Sequence, residues 1–372
     1  MTAHATPIVI VGAGLAGASV AFAAARRGLG TRIHVFEREP GPGRHATAQN
    51  AAMVRALLDE DVLAAWGSAG TLWWNALPAG VDTPGLFRRT GSVLLAEQAA
   101  TRARLEARVA MACRAGLEAR MIGAAELRAT WPMLEAVPFT AAAHVAEDGV
   151  ADPVALAARL LADAEAHGAT VHYDRALTGV VVAGGRVRAA DFKTHAEHAS
   201  RSRSSLEVAE LVLASGAWAP EQLRALPADD RGLAPWRRHL ALVGEVGCLA
   251  ALGLEHDSPF FWHVDRQAYF RPESGAVLTS VCDVAASLAG QPKVASDIDE
   301  RLHARLAEVF PFLLDLPLRR TWAGLRTYRP SHDFVLGAAE IGGLHLACGL
   351  GGHGVTCVGP IGEAVARGLA AQ

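Results

Sequence analysis

The sequence has no paired-cysteine motif, no long apolar run and no block of like charge, and each absence removes a class of protein. Five cysteines (Cys113, Cys248, Cys282, Cys348, Cys357) are scattered over 372 residues without a C-x-x-C pair. A disulfide framework is not indicated, and the thiols read as reduced in a cytoplasmic protein. The longest apolar run, Leu240 to Leu254, is broken by Glu245 and several glycines, well short of the ~20 apolar residues of a spanning helix. No transmembrane segment is expected, and only peripheral membrane contact stays open. The N-terminus runs into a strand with no charged leader, which reads against export. A net charge of −3 with 20% charged residues indicates neither a nucleic-acid surface nor an acidic tail. Alanine explains the positive mean hydropathy. The length suffices for a substantial core and more than one lobe.

What is present begins at Pro7. A buried β-run, Ile8 to Val11, enters a turn with Gly12, Gly14 and Gly17 at G-x-G-x-x-G spacing, Leu15 and Ala16 lying between them, and a small-residue helix follows over Ala18 to Arg27. Gly12 permits the tight turn, Gly14 lets backbone approach a pyrophosphate, and Gly17 lets helix pack on strand, while the helix N-terminus offers free N–H groups. A second strand, Thr31 to Glu37, ends in an acid placed for ribose hydroxyls, with no arginine in its place for a 2′-phosphate. The glycine spacing alone is weak, but strand, turn, helix, strand and terminal acid together specify a dinucleotide site. Whether the dinucleotide carries nicotinamide or flavin is open at this point.

Glycines and prolines make a loop after Glu37 that can lie against a cofactor. Its candidate contacts are Arg38, Arg44, Thr47, Ala48, Asn50, Ala51 and Ala52, with Val171 on a later strand. Small residues over Ala46 to Ala52 predict a helix with Thr47 as N-cap, and helical periodicity is expected from Val54 through Trp74 (Leu57, Leu58, Val62, Trp66, Leu72). Next come a strand over 86–96 around Gly91, helices over about 98–116 and 124–130, and a helix from Val154 capped by Asp152 that leads to strand Thr170–Tyr173, as a second α/β unit. A hairpin turns at Ala183-Gly184-Gly185. The polar tract after it holds His195 and His198 at the helical spacing metal ligands can use, yet no third ligand follows and it reads as a solvated loop. A strand over Leu206 to Ala214 reaches a small-residue turn, Ser215-Gly216-Ala217-Trp218, where backbone can approach a ligand. Residues 230–334 read as β-rich with one helix, about 297–309. A last strand, Leu344 to Cys348, meets Gly349-Leu350-Gly351-Gly352-His353-Gly354 and a helix over about Val355 to Ala370, whose second turn Pro360 should disturb.

GAGLAGAS with Glu37, TAQNAAM, DGVADP, LASGAWA, AYFRPESG, TWAGLRTYRPSHDFVLG and CGLGGHGVTCVGPIGEAVA run nearly end to end. With these segments the chain resembles the flavoprotein amine oxidase family that includes D-amino-acid oxidase, glycine oxidase and sarcosine oxidase, and within it is most like bacterial D-arginine dehydrogenases. The resemblance implies an α/β fold, a glutathione-reductase-type FAD-binding Rossmann domain (1–80, 145–225 and 335–372) interleaved with an antiparallel β-rich substrate domain (81–144 and 226–334). It implies non-covalent FAD, Arg326 standing about where some sarcosine oxidases carry a flavin-linking cysteine. It implies a FAD-dependent oxidoreductase that oxidises the C–N bond of a D-amino acid, or of an N-alkylated or glycine-like one, by hydride transfer to flavin N5, the imine then hydrolysing. Oxygen or a quinone would be the electron acceptor. A hydroxy-acid dehydrogenase, a biosynthetic tailoring oxidase and a non-catalytic FAD-stabilised assembly factor are the alternatives.

Carried over residue by residue, Gly349, Gly351, Gly352, His353, Gly354, Val355 and Thr356 would put backbone N–H groups at the flavin pyrimidine edge, with His353 tuning it. Ser215, Gly216 and Trp218 join the cofactor set. Arg326 matches the arginine that clamps the substrate carboxylate, pairing with Asp333 or Glu340 being its structural alternative. Tyr269 and Arg238 match positions near the same pocket, and Phe260 and Trp262 its apolar wall. The sequence departs from the D-arginine dehydrogenases at Thr90-Gly91-Ser92, where an acid is missing, and at Met53, Arg55 and Leu58, where polar residues are replaced. D-Arginine is therefore not the expected substrate. If Arg55 faces the cleft, a second anionic group on the substrate would suit it; if it faces solvent, the pocket is merely apolar.

Overall fold

The computed structural model describes residues 6–195 and 202–371. Ile8–Val11 is apolar at every position because it is buried on both faces, at the centre of a six-stranded sheet. The strand order is Val335–Ala338, Leu344–Cys348, Glu210–Leu213, Ile8–Val11, Ile33–Phe36 and Thr170–His172, parallel throughout except for the first strand. The helix after the glycine turn spans Leu15–Ala24 rather than starting at Ala18, and it gives way to a wider turn at Ala25–Leu29 that passes through Gly28 at φ +84°. Nine of its ten residues are buried, because the sheet and the helices Pro153–Ala166 and Val358–Ala370 enclose it. Gly17 is what permits the closest approach: a Cβ there would collide with the carbonyl oxygen of Gly12.

A larger mixed sheet of nine strands is built from segments 92–145 and 234–328. Its pairs are antiparallel except Phe260–His263 against Ser92–Ala96, which run parallel, as strands so distant in sequence can. Leu318–Tyr328 pairs along the whole of Ala234–Val243. A three-stranded meander (Arg175–Ala183, Arg186–Thr194, Arg203–Glu207) and a small sheet of Met53–Val54, Gly149–Ala151 and Phe87–Arg88 complete the architecture.

Several local expectations change. Residues 46–52 form turns, not a helix, and Thr47 accepts a hydrogen bond from the Leu15 amide (3.1 Å) instead of capping a helix of its own. The helix expected from Val54 begins only at Ala64, because Met53–Val54 is a strand and 55–60 is pinned coil, with Leu57 and Leu58 in the core and Val62 exposed. Gly149–Ala151 joins the small sheet, so the helix capped by Asp152 is not half of a second parallel unit. The cap itself holds, Asp152 accepting from the Val154 and Ala155 amides. The strand expected over Leu206 to Ala214 is two strands, Arg203–Glu207 and Glu210–Leu213. The last helix starts at Val358, which puts Pro360 in its first turn, where a missing N–H costs nothing.

Candidate active site

The first glycine turn, the loop 43–55, the turn 214–218, the meander and the turn 347–356 converge on one cavity of about 680 Å³. At one end stands Gly12, at φ +105°, where a Cβ would come within 2.7 Å of the Ala214 carbonyl oxygen. Gly14 caps the following helix without a side chain of its own, Thr47 accepts from the Leu15 amide, and Gly14, Leu15 and Ala16 of the helix N-terminus line the cavity. Glu37 is 7% exposed and fixed by two backbone amides, Ala13 N (2.7 Å) and Glu39 N (2.9 Å). Arg38 lies over the Trp218 ring at 4.5 Å.

Of the cofactor residues expected from sequence, Gly12, Gly14, Leu15, Ala16, Glu37, Arg38, Arg44, Thr47, Asn50, Ala51, Ala52, Ser215, Gly216, Trp218, Gly349, Gly351, Gly352, His353, Gly354, Val355 and Thr356 all line the cavity. Gly17, Ala48 and Val171 do not. Gly17 is covered by its own turn, Ala48 points to solvent, and Val171 lies within the last strand of the parallel sheet. The turn after Leu344–Cys348 is also less open than expected. Gly351 N donates to Thr327 O and His353 N to Leu350 O, whereas the amides of Gly352, Gly354, Val355 and Thr356 make no backbone hydrogen bond among the described residues. His195, the described member of the histidine pair, stands 3.3 Å from Arg38 and lines the cavity; His198 lies outside the described residues. No cluster of three potential metal ligands occurs among the described residues.

Toward the mixed sheet the lining becomes cationic: Arg55, Arg238 and Arg326, with Met53, Leu240 and Trp262. Arg326 comes from Leu318–Tyr328 and Arg238 from the strand paired with it. No carboxylate lies within ion-pair distance of either among the described residues, and the partners open to Arg326 on sequence grounds are taken: Asp333 binds Arg329 and Glu340 binds Arg231. Burial lowers Arg326 to about 10, and the neighbouring charges of Arg238 and Arg55 add to the effect while Tyr269 opposes it. Its guanidinium sits against Gly352, where a Cβ would come within 2.6 Å of Nη1. Arg55 faces the cavity, 6% exposed, its guanidinium 4.3 Å from the centre of the Trp262 ring.

Tyr269 does not line the cavity wall. It is fully buried and stacks on Trp262 at 4.9 Å, and burial raises its phenol above the usual range. Phe260 is likewise core. The Tyr269 hydroxyl and the Trp262 indole N–H have no hydrogen-bond partner among the described residues. Sequence reading missed two acids behind this wall. Glu60 stands 3.2 Å from His353 as an ion-pair contact; burial pushes its carboxyl up, but the proximity of His353, its own backbone amide and the Arg55 charge outweigh that and hold it at about 2. Asp148 is fully buried and raised to about 7 by desolvation, although it accepts from Ser92 (2.6 Å), Ala56 N (2.7 Å) and Thr71 (3.1 Å). Only a helix-to-coil change at 55–60 brings Glu60 here, and no local pattern signals that. The loop 46–52 reaches the site by lying across Leu318–Tyr328 at Gly324, whose missing Cβ leaves room for the Gln49 carbonyl.

The sequence matches the family described as FAD dependent oxidoreductase over residues 7–367. No curated protein matches it. Among solved structures it is similar to L-proline dehydrogenase from P. horikoshii (17% identity, 97% of this chain and 92% of that one, TM-score 0.82). It is likewise similar to glycine oxidase from Bacillus cereus (18%, 99% and 95%, 0.77) and to iminodiacetate oxidase from Chelativorans sp. (24%, 98% and 95%, 0.76).

Proposed function

From the premise that this chain belongs to the FAD-dependent oxidoreductase family, we propose that it oxidises the C–N bond of an amino acid, either a D-amino acid or a glycine-like or N-alkylated one. The residues fit the cofactor: the glycine turn at Gly12–Gly17 and Glu37 suit the adenosine and pyrophosphate, and the unengaged amides of Gly352 and Gly354–Thr356 suit the carbonyl edge of the flavin ring. FAD is held without a covalent bond. Cys348, the cysteine that lines the cavity, is a poor nucleophile, its thiol pushed by burial to about 12 and donating to Leu213 O at 3.0 Å. When bound, FAD supplies a two-electron acceptor, so that the substrate gives up its α-hydrogen as hydride and a proton from nitrogen, and the imine takes up water to yield an oxo acid and the free amine.

The observation that carries this reading is Arg326, an enclosed guanidinium with no carboxylate in ion-pair distance among the described residues, beside Gly352. In this reading it holds the substrate carboxylate in a bidentate grip, helped by Arg238, so that the α-carbon lies against the flavin turn. Tyr269 stands behind this wall, stacked on Trp262, and supports it without touching the cavity. His353, held by Glu60, places a donor beside the flavin turn, and no side chain is assigned as a base, because an amine bound neutral needs none. The test is anaerobic flavin reduction with a panel of amino acids, amines and hydroxy acids, followed by admission of air. Reduction by hydroxy acids alone, or by nothing, rejects the reading, and reoxidation in air separates an oxidase from a quinone-dependent dehydrogenase.

A further inference from the structure

Resting on that reading of the cavity, we propose that its substrate carries a second carboxylate, on the side chain or on a substituent of the nitrogen, and that Arg55 is the residue that selects it. The main chain on both sides of Arg55 is pinned, Arg55 N to Thr356 Oγ1 at 3.1 Å and Ala56 N to the buried Asp148 at 2.7 Å. The side chain is 7% exposed and held over Trp262. Such an arginine is placed, not left to wander. Its protein partner only loosely satisfies it: Nη1 and Nη2 both reach one oxygen of Asp59 at 3.4 Å, a long contact for a charge-assisted bond, and a guanidinium has five N–H donors in a planar fork. The other nearby acid, Glu60, is engaged by His353.

Charge points the same way. Three guanidiniums, Arg55, Arg238 and Arg326, share this end of the cavity, and the positive charges of Arg238 and Arg55 help depress Arg326. One carboxylate, taken by Arg326 and Arg238, leaves Arg55 with its loose Asp59 contact. A second carboxylate answers Arg55, and a cationic side chain would be repelled. A merely apolar pocket would not require an arginine desolvated at this depth.

The test is anaerobic reduction of the FAD-loaded protein by matched substrates. Aspartate and glutamate in both configurations carry the extra carboxylate on the side chain, and iminodiacetate carries it on nitrogen. Alanine in both configurations, glycine and sarcosine lack it. At least one dicarboxylate should exceed its monocarboxylate counterpart in kcat/KM by about 100-fold, the order expected of a buried charge-assisted pair, and the arm that does so identifies where the second carboxylate sits. Arg55→Met should abolish most of that preference, mainly through KM, with the monocarboxylates falling far less. Arg55→Lys should restore part of it, and Asp59→Asn, which removes the competing negative charge, should not weaken it. FAD content reports folding of each variant. Monocarboxylates reacting better than every dicarboxylate, or Arg55→Met lowering both classes equally, overturns the proposal while the amino-acid reading stands. If no amine reduces the flavin, both fall.

Discussion

Replacing Arg326 by Met separates a substrate clamp from a structural arginine, because the two roles predict opposite changes in stability. A base whose folded pKa is lowered from its usual value to about 10 opposes folding at every pH below about 10. The corresponding cost is on the order of 3 kcal/mol, and a thioether of similar length removes it. The FAD-loaded Arg326→Met variant without substrate should therefore melt no lower than the wild type, and higher if the relief is fully realised. If Arg326 is the clamp, the same change removes a charge-assisted, bidentate contact to the substrate carboxylate. Truncating one partner of such a pair costs about 2–5 kcal/mol, equivalent to roughly a 30-fold to several-thousand-fold loss in kcat/KM. Stopped-flow reduction of the flavin under anaerobic conditions gives the kinetic half, and thermal unfolding of the same samples the other. A variant that melts lower yet reduces its flavin at an unchanged rate would refute the reasoning, since Arg326 would then be satisfied by the protein alone.

Asp148 should impose a pH dependence of the opposite sign to that of most acids. Its folded pKa of about 7 lies above the unfolded value of 3.8, so the folded state binds the proton more tightly, and stability is lost as pH rises between those values, by about 1.4 kcal/mol per unit. In Asp148→Asn the decline in melting temperature across that window should flatten. Gly324→Ala drives a Cβ into the Gln49 carbonyl, so the loop 46–52 must move; FAD retention on a desalting column should fall, with about 1–3 kcal/mol of lost stability. Glu37→Gln leaves one of the amides of Ala13 and Glu39 facing an NH₂ group. The resulting loss of about 1–3 kcal/mol should weaken FAD binding roughly 5- to 150-fold, as measured by fluorescence titration of the released flavin.

Much of the fold was legible because its signals are local. The apolar run Ile8–Val11, the glycine turn, the Asp152 cap, and the hairpin at Ala183–Gly185 depend on residues within a few positions of one another, and the structure holds all of them. The loop 46–60 was misread for a complementary reason. Its alanines and leucines favour a helix intrinsically, but Leu15 takes the Thr47 hydroxyl, Asp148 takes the Ala56 amide and Gly324 admits the Gln49 carbonyl. These partners, 32, 92 and 275 residues away (47 to 15, 56 to 148, 49 to 324), outweigh a propensity worth tenths of a kcal/mol per residue.

By itself, the sequence determined a strand, a glycine turn and a helix N-terminus of the kind that suits a dinucleotide, because that device is contiguous and its glycines are needed where they stand. The identity of Arg326, Arg238 and Arg55 as cations was equally plain. Whether those cations would be neutralised was decided only by tertiary structure. Pairing depends on which carboxylates the strands and the loop 55–60 carry within ~4 Å, and packing gave Asp333 and Glu340 to other arginines and Glu60 to His353. Among the described residues it left Arg326 and Arg238 without an acid and Arg55 with a loose one. The chemistry a substrate must supply is set by that remainder.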